Sequence, residues 1–407
     1  MLERPAMRKV FAFAALLTLF ASTSTPAAIP PDLNTIERHA RLLASPVTKE
    51  RAQAEEWFKH NGELAYSVLV RTIQAGDMKE QPRATHAAVL MISPWMRGIE
   101  AGNNHKGQIE LYLPARSAGR PVDHPKAPAL RKAAIEALEK LLTERRKAPV
   151  NADINAKDPA FPGWMAQSQA KSLCELLIEV ADAETADRVA ALLAAEEDRH
   201  LASSLMGMLD AYHGRPITHY QGFMCGTGAT PESIAQFERD ETKRCMDAKA
   251  TLLKWHKQHA NRPLKNRIRA TMDLWDAWVN NPNAGVQLGD GEWLTNYPWY
   301  TSLFRLGEPA LDELQQRLGT IPREATARRA LYEVAITLIT GKLDKDRVSA
   351  LLKGGTLEKL LACELIVAAG SKDFKEELGR LVQGNDANMR ASYALACVHR
   401  MDAIPLL

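Results

Sequence analysis

The sequence predicts an all-α fold, an α-solenoid of helical hairpins with an irregular central region. Three observations predict it. Extended alternating runs of Val, Ile and Thr are almost missing, while Ala, Leu, Glu, Lys and Arg recur at helical spacing in most segments. Glycines and prolines divide those segments into short amphipathic lengths that cannot bury their apolar faces alone. Near the C-terminus successive longer helices begin roughly 30 residues apart, the scale of a repeat built from one helical hairpin.

The chain opens with a charged head, an apolar run from Val10 to Ala21 and the stretch STSTPAA ending at Ala28. This run suits the core of an export signal and is well short of the roughly 20 residues that span a bilayer. Cleavage is expected after Ala27, with Thr25 at the minus-three position. That makes 1–27 a signal peptide and places the product in the periplasm or extracellular space, with no stable transmembrane segment after processing. Glu3 and Pro5 are unusual in such a head, whereas Met7-Arg8-Lys9 is conventional, so Met7 is an alternative start.

The region 28–100 reads as N-terminal helical repeat. Ser45 is a good cap, Pro46 suits a first turn, and Ala54, Trp57 and Phe58 form an inner stripe. Asn61-Gly62 is expected to break that helix. A second one then carries Leu64, Ala65, Val68, Leu69 and Ile73 on one face and stops at Gly76. The region 101–298 is less regular. Asn103 to Lys126 is too rich in Gly and Pro for one helix, with Gln108 to Leu113 as a short strand. Helices are expected over Ala129–Arg146, Gln167–Val180, Ala183–Ala195 and His200–Tyr212, and another opens at Thr230-Pro231. Pro149 to Gly163 and His213 to Thr230 read as loops. Regularity returns in 299–407, where Gly307 permits a sharp turn and Pro309 opens a helix bearing Leu311, Leu314 and Leu318. Further helices follow over Ala325–Thr340, Asp344–Leu352, Leu357–Ala369, Phe374–Val382 and Met389–Val398, with Gly341, Gly354-Gly355, Gly370 and Gly384 between them.

Two phrases in this rhythm carry a likeness. LGEPALDEL, around Gly307 to Leu314, looks like the junction and second helix of a repeat, and Met389-Arg390-Ala391-Ser392-Tyr393-Ala394-Leu395 looks like a first helix. The chain resembles the HEAT-like repeat superfamily over Ser45–Gly76 and Tyr300–Val398. The resemblance implies stacked helical hairpins and specifies packing, not chemistry, since the family holds many protein-binding scaffolds and a few enzymes.

Charge narrows the partners. The chain has 52 basic and 49 acidic residues, and removal of 1–27 leaves the mature protein near +1. Such a body has no concentrated positive field for a nucleic acid backbone. Five cysteines occur, none in a close pair, so zinc-knuckle spacing is absent. Cys225 and Cys245 make the best candidate disulfide, while Cys363 and Cys397 read as small buried apolar residues. No cofactor motif is present and none is expected.

The segment YHGRPITHYQGFMCGTG gathers Tyr212, His213, Arg215, His219, Tyr220 and Cys225. His213 and His219 have the chemistry to ligate a metal or to act as acid and base. Their spacing matches no zinc helix, and hydrogen bonding to loop carbonyls is the simpler account, so no metal is assigned. His256 and His259 follow Trp255 and read as one exposed helical face. A second segment holds Trp275 and Trp278, then Asp290, Glu292, Trp293, Tyr297, Trp299 and Tyr300. Trp293, Tyr297 and Trp299 are candidates for contact with a glycan or peptide, and core packing is the competing account, foremost for Trp275 and Trp278. Together these readings lead to an exported binding or scaffold protein recognising another protein or an envelope polymer. The alternative is a carbohydrate-active or other hydrolytic enzyme, with His213, His219, Asp290 and Glu292 as its acid-base set.

Overall fold

A computed structural model describes residues 29–43, 45, 48–92, 123–147, 163–215, 230–279, 303–384 and 388–399. Among these residues there are fifteen α-helices and no strand. They are α1 (Leu33–Leu43), α2 (Thr48–Ala75), α3 (Glu80–Ile92), α4 (Ala127–Lys147), α5 (Gly163–Val180), α6 (Ala183–Ala194), α7 (Arg199–His213), α8 (Pro231–His259) and α9 (Leu264–Val279). Two 3-10 turns, Phe304–Leu306 and Glu308–Ala310, lead into α10 (Leu311–Thr320), α11 (Thr326–Thr340), α12 (Lys345–Leu352), α13 (Thr356–Ala369), α14 (Lys375–Gln383) and α15 (Asn388–His399). The signal segment and the short strand expected at Gln108–Leu113 lie outside the described residues.

The helices stack in two rows. In one, α1, α3, α5 and α7 pack in succession, the 3-10 turn at Phe304 takes the next place, and α11, α13 and α15 continue. In the other, α2, α4, α6 and α8 pack in succession. In the first half each helix touches the equivalent helix of the neighbouring hairpin, and in the second half α10, α12 and α14 each pack on a first-row helix, the pattern of an α-solenoid. The first row is enclosed, and its composition follows: every residue of α13 from Leu360 to Ala369 is buried, and all are apolar except Glu364, which pairs with Arg390.

Two apolar cores result. One runs from Ile36 to Leu252 and the other from Ile268 to Val398. Cys174 lies in the first, Cys363 and Cys397 in the second, each a buried free thiol. Burial raises all three thiols, Cys363 and Cys397 to about 12. The carboxylate of Asp276 on α9 accepts from Arg328 at 2.8 and 2.7 Å, from Arg317 at 2.7 Å and from Tyr332 at 2.9 Å, fastening α9 to α10 and α11.

Several helix ends fall where turn chemistry puts them. Thr230 caps α8 with Pro231 in the first turn, and Asp182, Asp198 and Asp344 cap α6, α7 and α12 through their side chains. The expected break at Asn61-Gly62 does not occur, because α2 runs through it. A mid-helix glycine costs about 1 kcal/mol, less than the burial of Ala54 before it and Ala65, Leu69 and Ile73 after it returns. Trp57 and Phe58 are only partly buried and pack against one another and His39 at the edge of the first core.

Candidate functional site

The regular stacking changes between α7 and α11, where a 3-10 turn replaces a helix. Two features lie there, a chain of imidazoles and a cleft. The imidazole chain starts at Asp187 on α6, whose side chain is 60% exposed. Its Oδ1 is 2.9 Å from His256 Nε2, and His256 Nδ1 is 2.9 Å from His213 Nε2. An ionised carboxylate only accepts, so His256 Nε2 donates to Asp187. With His256 neutral, its Nδ1 accepts from His213 Nε2, which leaves a lone pair on His213 Nδ1. That atom is buried without a hydrogen-bond partner among the described residues, and the His213 residue is 1% exposed.

Aromatic and cationic groups enclose His213. Tyr212 and Trp255 meet its ring edge to face, each with centroids 4.9 Å apart, and Trp255 stacks on His259 at 4.4 Å. The Arg215 guanidinium lies 4.6 Å from the Trp255 ring and pairs with Asp210 at 3.0 Å, both side chains sealed from solvent. Burial holds His213 well below the ordinary imidazole range, with further depression from His256, Arg267, Arg215 and His259. Burial therefore favours the neutral form of this ring. Backbone and indole groups fix its position: Thr271 Oγ1 donates to the His213 carbonyl at 3.1 Å, and Trp275 Nε1 donates to the Gly214 carbonyl at 2.8 Å.

The cleft has Tyr212 in its lining. Its volume is about 260 Å³, and five separate stretches line it: Asp123; Ile178 to Asp182; Ala211 and Tyr212; Leu264 and Arg267; and Phe304 to Gly307. Phe304 and Leu306 form an apolar wall, and Leu264, 43% exposed, stands at the rim. The charges are unevenly matched. Arg305 bonds Glu179 at 2.7 Å, and Asp182 is held by Arg131 at 3.0 Å while it caps α6. Arg267 has no carboxylate partner among the described residues. Its guanidinium lies 5.6 Å from the Tyr212 ring, and its Nε is buried without a hydrogen-bond partner.

These positions sort the expected site residues. His213 is enclosed in the imidazole chain and does not line the cleft. The reading of His256 and His259 as one exposed face is corrected: His256 is buried as the middle member of that chain, and His259 stacks on Trp255. Their helix looks solvent-facing because its first turns are, from Pro231 to Asp240, whereas its end docks on α6 and α7. Trp275 is fully buried in the second core, in line with the packing account. Cys245 is buried too, as a free thiol whose Sγ donates to the Arg199 carbonyl at 3.5 Å. Its candidate partner Cys225, with His219, Asp290, Glu292, Trp293, Tyr297 and Trp299, lies outside the described residues. No group of three or more metal-ligating side chains occurs among the described residues. Asp187, Arg267, Arg305 and Phe304 carry no mark in the sequence, since no local pattern distinguishes residues that meet only across helices. In comparisons with protein-family models, with curated proteins and with solved structures, nothing matches the chain.

Proposed function

We propose that this is an exported binding or scaffold protein of the periplasm or extracellular space, with a HEAT-like frame that recognises another protein or an envelope polymer. The cleft at the change in stacking carries the reading. It joins an apolar wall, an exposed leucine and a guanidinium without a carboxylate partner among the described residues, which is the mixture of apolar area and sparse polar groups that recognition sites use. At about 260 Å³ it takes one group of a larger partner more readily than a whole drug-sized ligand. No helix among the described residues is long and apolar enough to cross a membrane, which is compatible with release after signal cleavage.

Affinity recovery from native envelope extracts tests this reading. The mature protein should retain a specific partner, and Leu264→Asp at the rim should release it. If repeated recovery yields nothing specific while the purified protein turns over an envelope substrate, the binding assignment loses to the hydrolytic enzyme. One observation favours that second reading, the Asp187-His256-His213 chain, which is able to hold a proton against a buried ring. Its weakness is access, since His213 is 1% exposed and substrate must reach a catalytic base. Activity unchanged in alanine variants of His213, His219, Asp290 and Glu292, each folded, would reject that set.

A further inference from the structure

Arg267 stands out against the other arginines of this fold. Arg188 grips Glu139 through Nε and Nη2 at 2.9 and 2.7 Å, Arg269 grips Glu313 in the same way at 2.8 and 3.0 Å, and Arg328 does so with Asp276. The side-on Nε and Nη edge is thus the one this chain repeatedly uses for carboxylates, and it matches the two oxygens of a carboxylate in a plane. On Arg267 the Nε of that edge finds no acceptor among the described residues and has no water-accessible surface. A buried unmet N–H is costly, and a carboxylate entering the cleft removes that cost once the flexible side chain turns its edge toward it.

The rest of the lining says what the carboxylate should be attached to. Leu264 lies one helical turn before Arg267 and is one of three large apolar residues exposed among those described. Phe304 and Leu306 face the same space. Asp123, exposed at the rim, has no ion pair among the described residues. Its charge disfavours a dianion such as phosphate and suits a ligand carrying amide N–H groups beside its carboxylate. The small volume favours the end of a chain over a segment that continues in both directions. The positive charge of Arg267 is also felt by His213, whose depression it deepens.

Resting on the binding role proposed above, we infer that the cleft is a subsite for the C-terminal carboxylate of a peptide whose last residue is apolar. Arg267 takes the carboxylate in a fork. Leu264, Phe304 and Leu306 take the apolar side chain, and the Tyr212 ring backs the guanidinium.

Calorimetric titration of the mature protein with N-acetyl Gly-Gly-Phe-Leu tests this. The free acid should bind at least tenfold more tightly than the C-terminal amide, since a charge-assisted fork is lost. In Arg267→Gln the acid should fall to the affinity of the amide, and in Leu264→Ser both should weaken together, with circular dichroism confirming that each variant is folded. An amidated peptide of the same length ending in glutamate separates the two sources of carboxylate. Binding of that peptide as tightly as the free acid overturns the chain-end assignment. Equal binding of acid and amide, an acid preference that survives Arg267→Gln, or no binding of any peptide also overturns it. Partner recovery from envelope extracts keeps the two failures apart: if Arg267→Gln still retains the wild-type partner, this subsite is wrong and the binding role stands. If the wild-type protein retains nothing, the binding role itself fails.

Discussion

Burial gives His213 a measurable effect on stability. The folded chain resists protonating this ring, which Arg215, Arg267, His256 and His259 surround with present or potential positive charge, and Tyr212 and Trp255 close over it. The unfolded chain takes up the same proton near pH 6.5. The contribution of His213 is therefore fully present above that pH and is lost as the pH falls toward the depressed native value, at up to about 1.4 kcal/mol per pH unit. Burial also lowers His39, His124, His200 and His259, so the total slope belongs to several groups. The difference between wild type and His213→Gln isolates one of them. Denaturant midpoints measured from pH 7 to pH 5 should fall less steeply in the variant. An unchanged slope would mean that the native imidazole chain accepts the proton and shares it toward Asp187.

The 3-10 turns around Gly307 hold the cleft open by a backbone conformation that few residues adopt. Gly307 has φ 69° and ψ −165°, a region open essentially to glycine alone. Gly307→Ala should lower stability by about 1–3 kcal/mol and weaken any cleft ligand, checked by thermal unfolding and by the same peptide titration. This turn is legible in the sequence, because glycine followed by Glu-Pro-Ala ends one element and begins another. So are the ends at Gly341 and Gly370, both left-handed helix caps. Gly62 shows why such reading fails elsewhere: the same residue type is a stop where nothing packs beyond it and is carried through where apolar faces continue on both sides. The cleft is illegible for another reason. Its walls come from stretches separated by up to 184 positions, Asp123 to Gly307, and each taken alone is ordinary helix end or turn. His256 misleads because α8 is solvent-facing at one end and docked at the other, so its charge-rich sequence describes only half of its surroundings.

Among the described residues, the two apolar cores are tied by side-chain hydrogen bonds. Trp275 from the second core donates to the Gly214 carbonyl at the end of α7, Thr271 donates to the His213 carbonyl, and Arg305 bonds Glu179. Trp275→Phe keeps much of the ring volume and removes the N–H, leaving a buried carbonyl short of a donor at a cost of about 1–3 kcal/mol. Scanning calorimetry should then show unfolding resolved into two transitions closer to independence than in the wild type. A single transition that merely moves to lower temperature would mean the cores are coupled by packing alone. The buried sulfurs offer a second view of the same event. A thiol reagent cannot reach Cys174, Cys363 or Cys397 in the native chain, so each modification marks one opening of its surroundings. These three sulfurs, with Cys245 a fourth buried free thiol in the first core, thus act as clocks placed on either side of the join, Cys174 timing the first stack and the other two timing the second. In Trp275→Phe the clocks of the second stack should run faster by more than that of the first, because the altered ring belongs to their core. Fluctuation, which no static contact records, then becomes a rate read at named atoms.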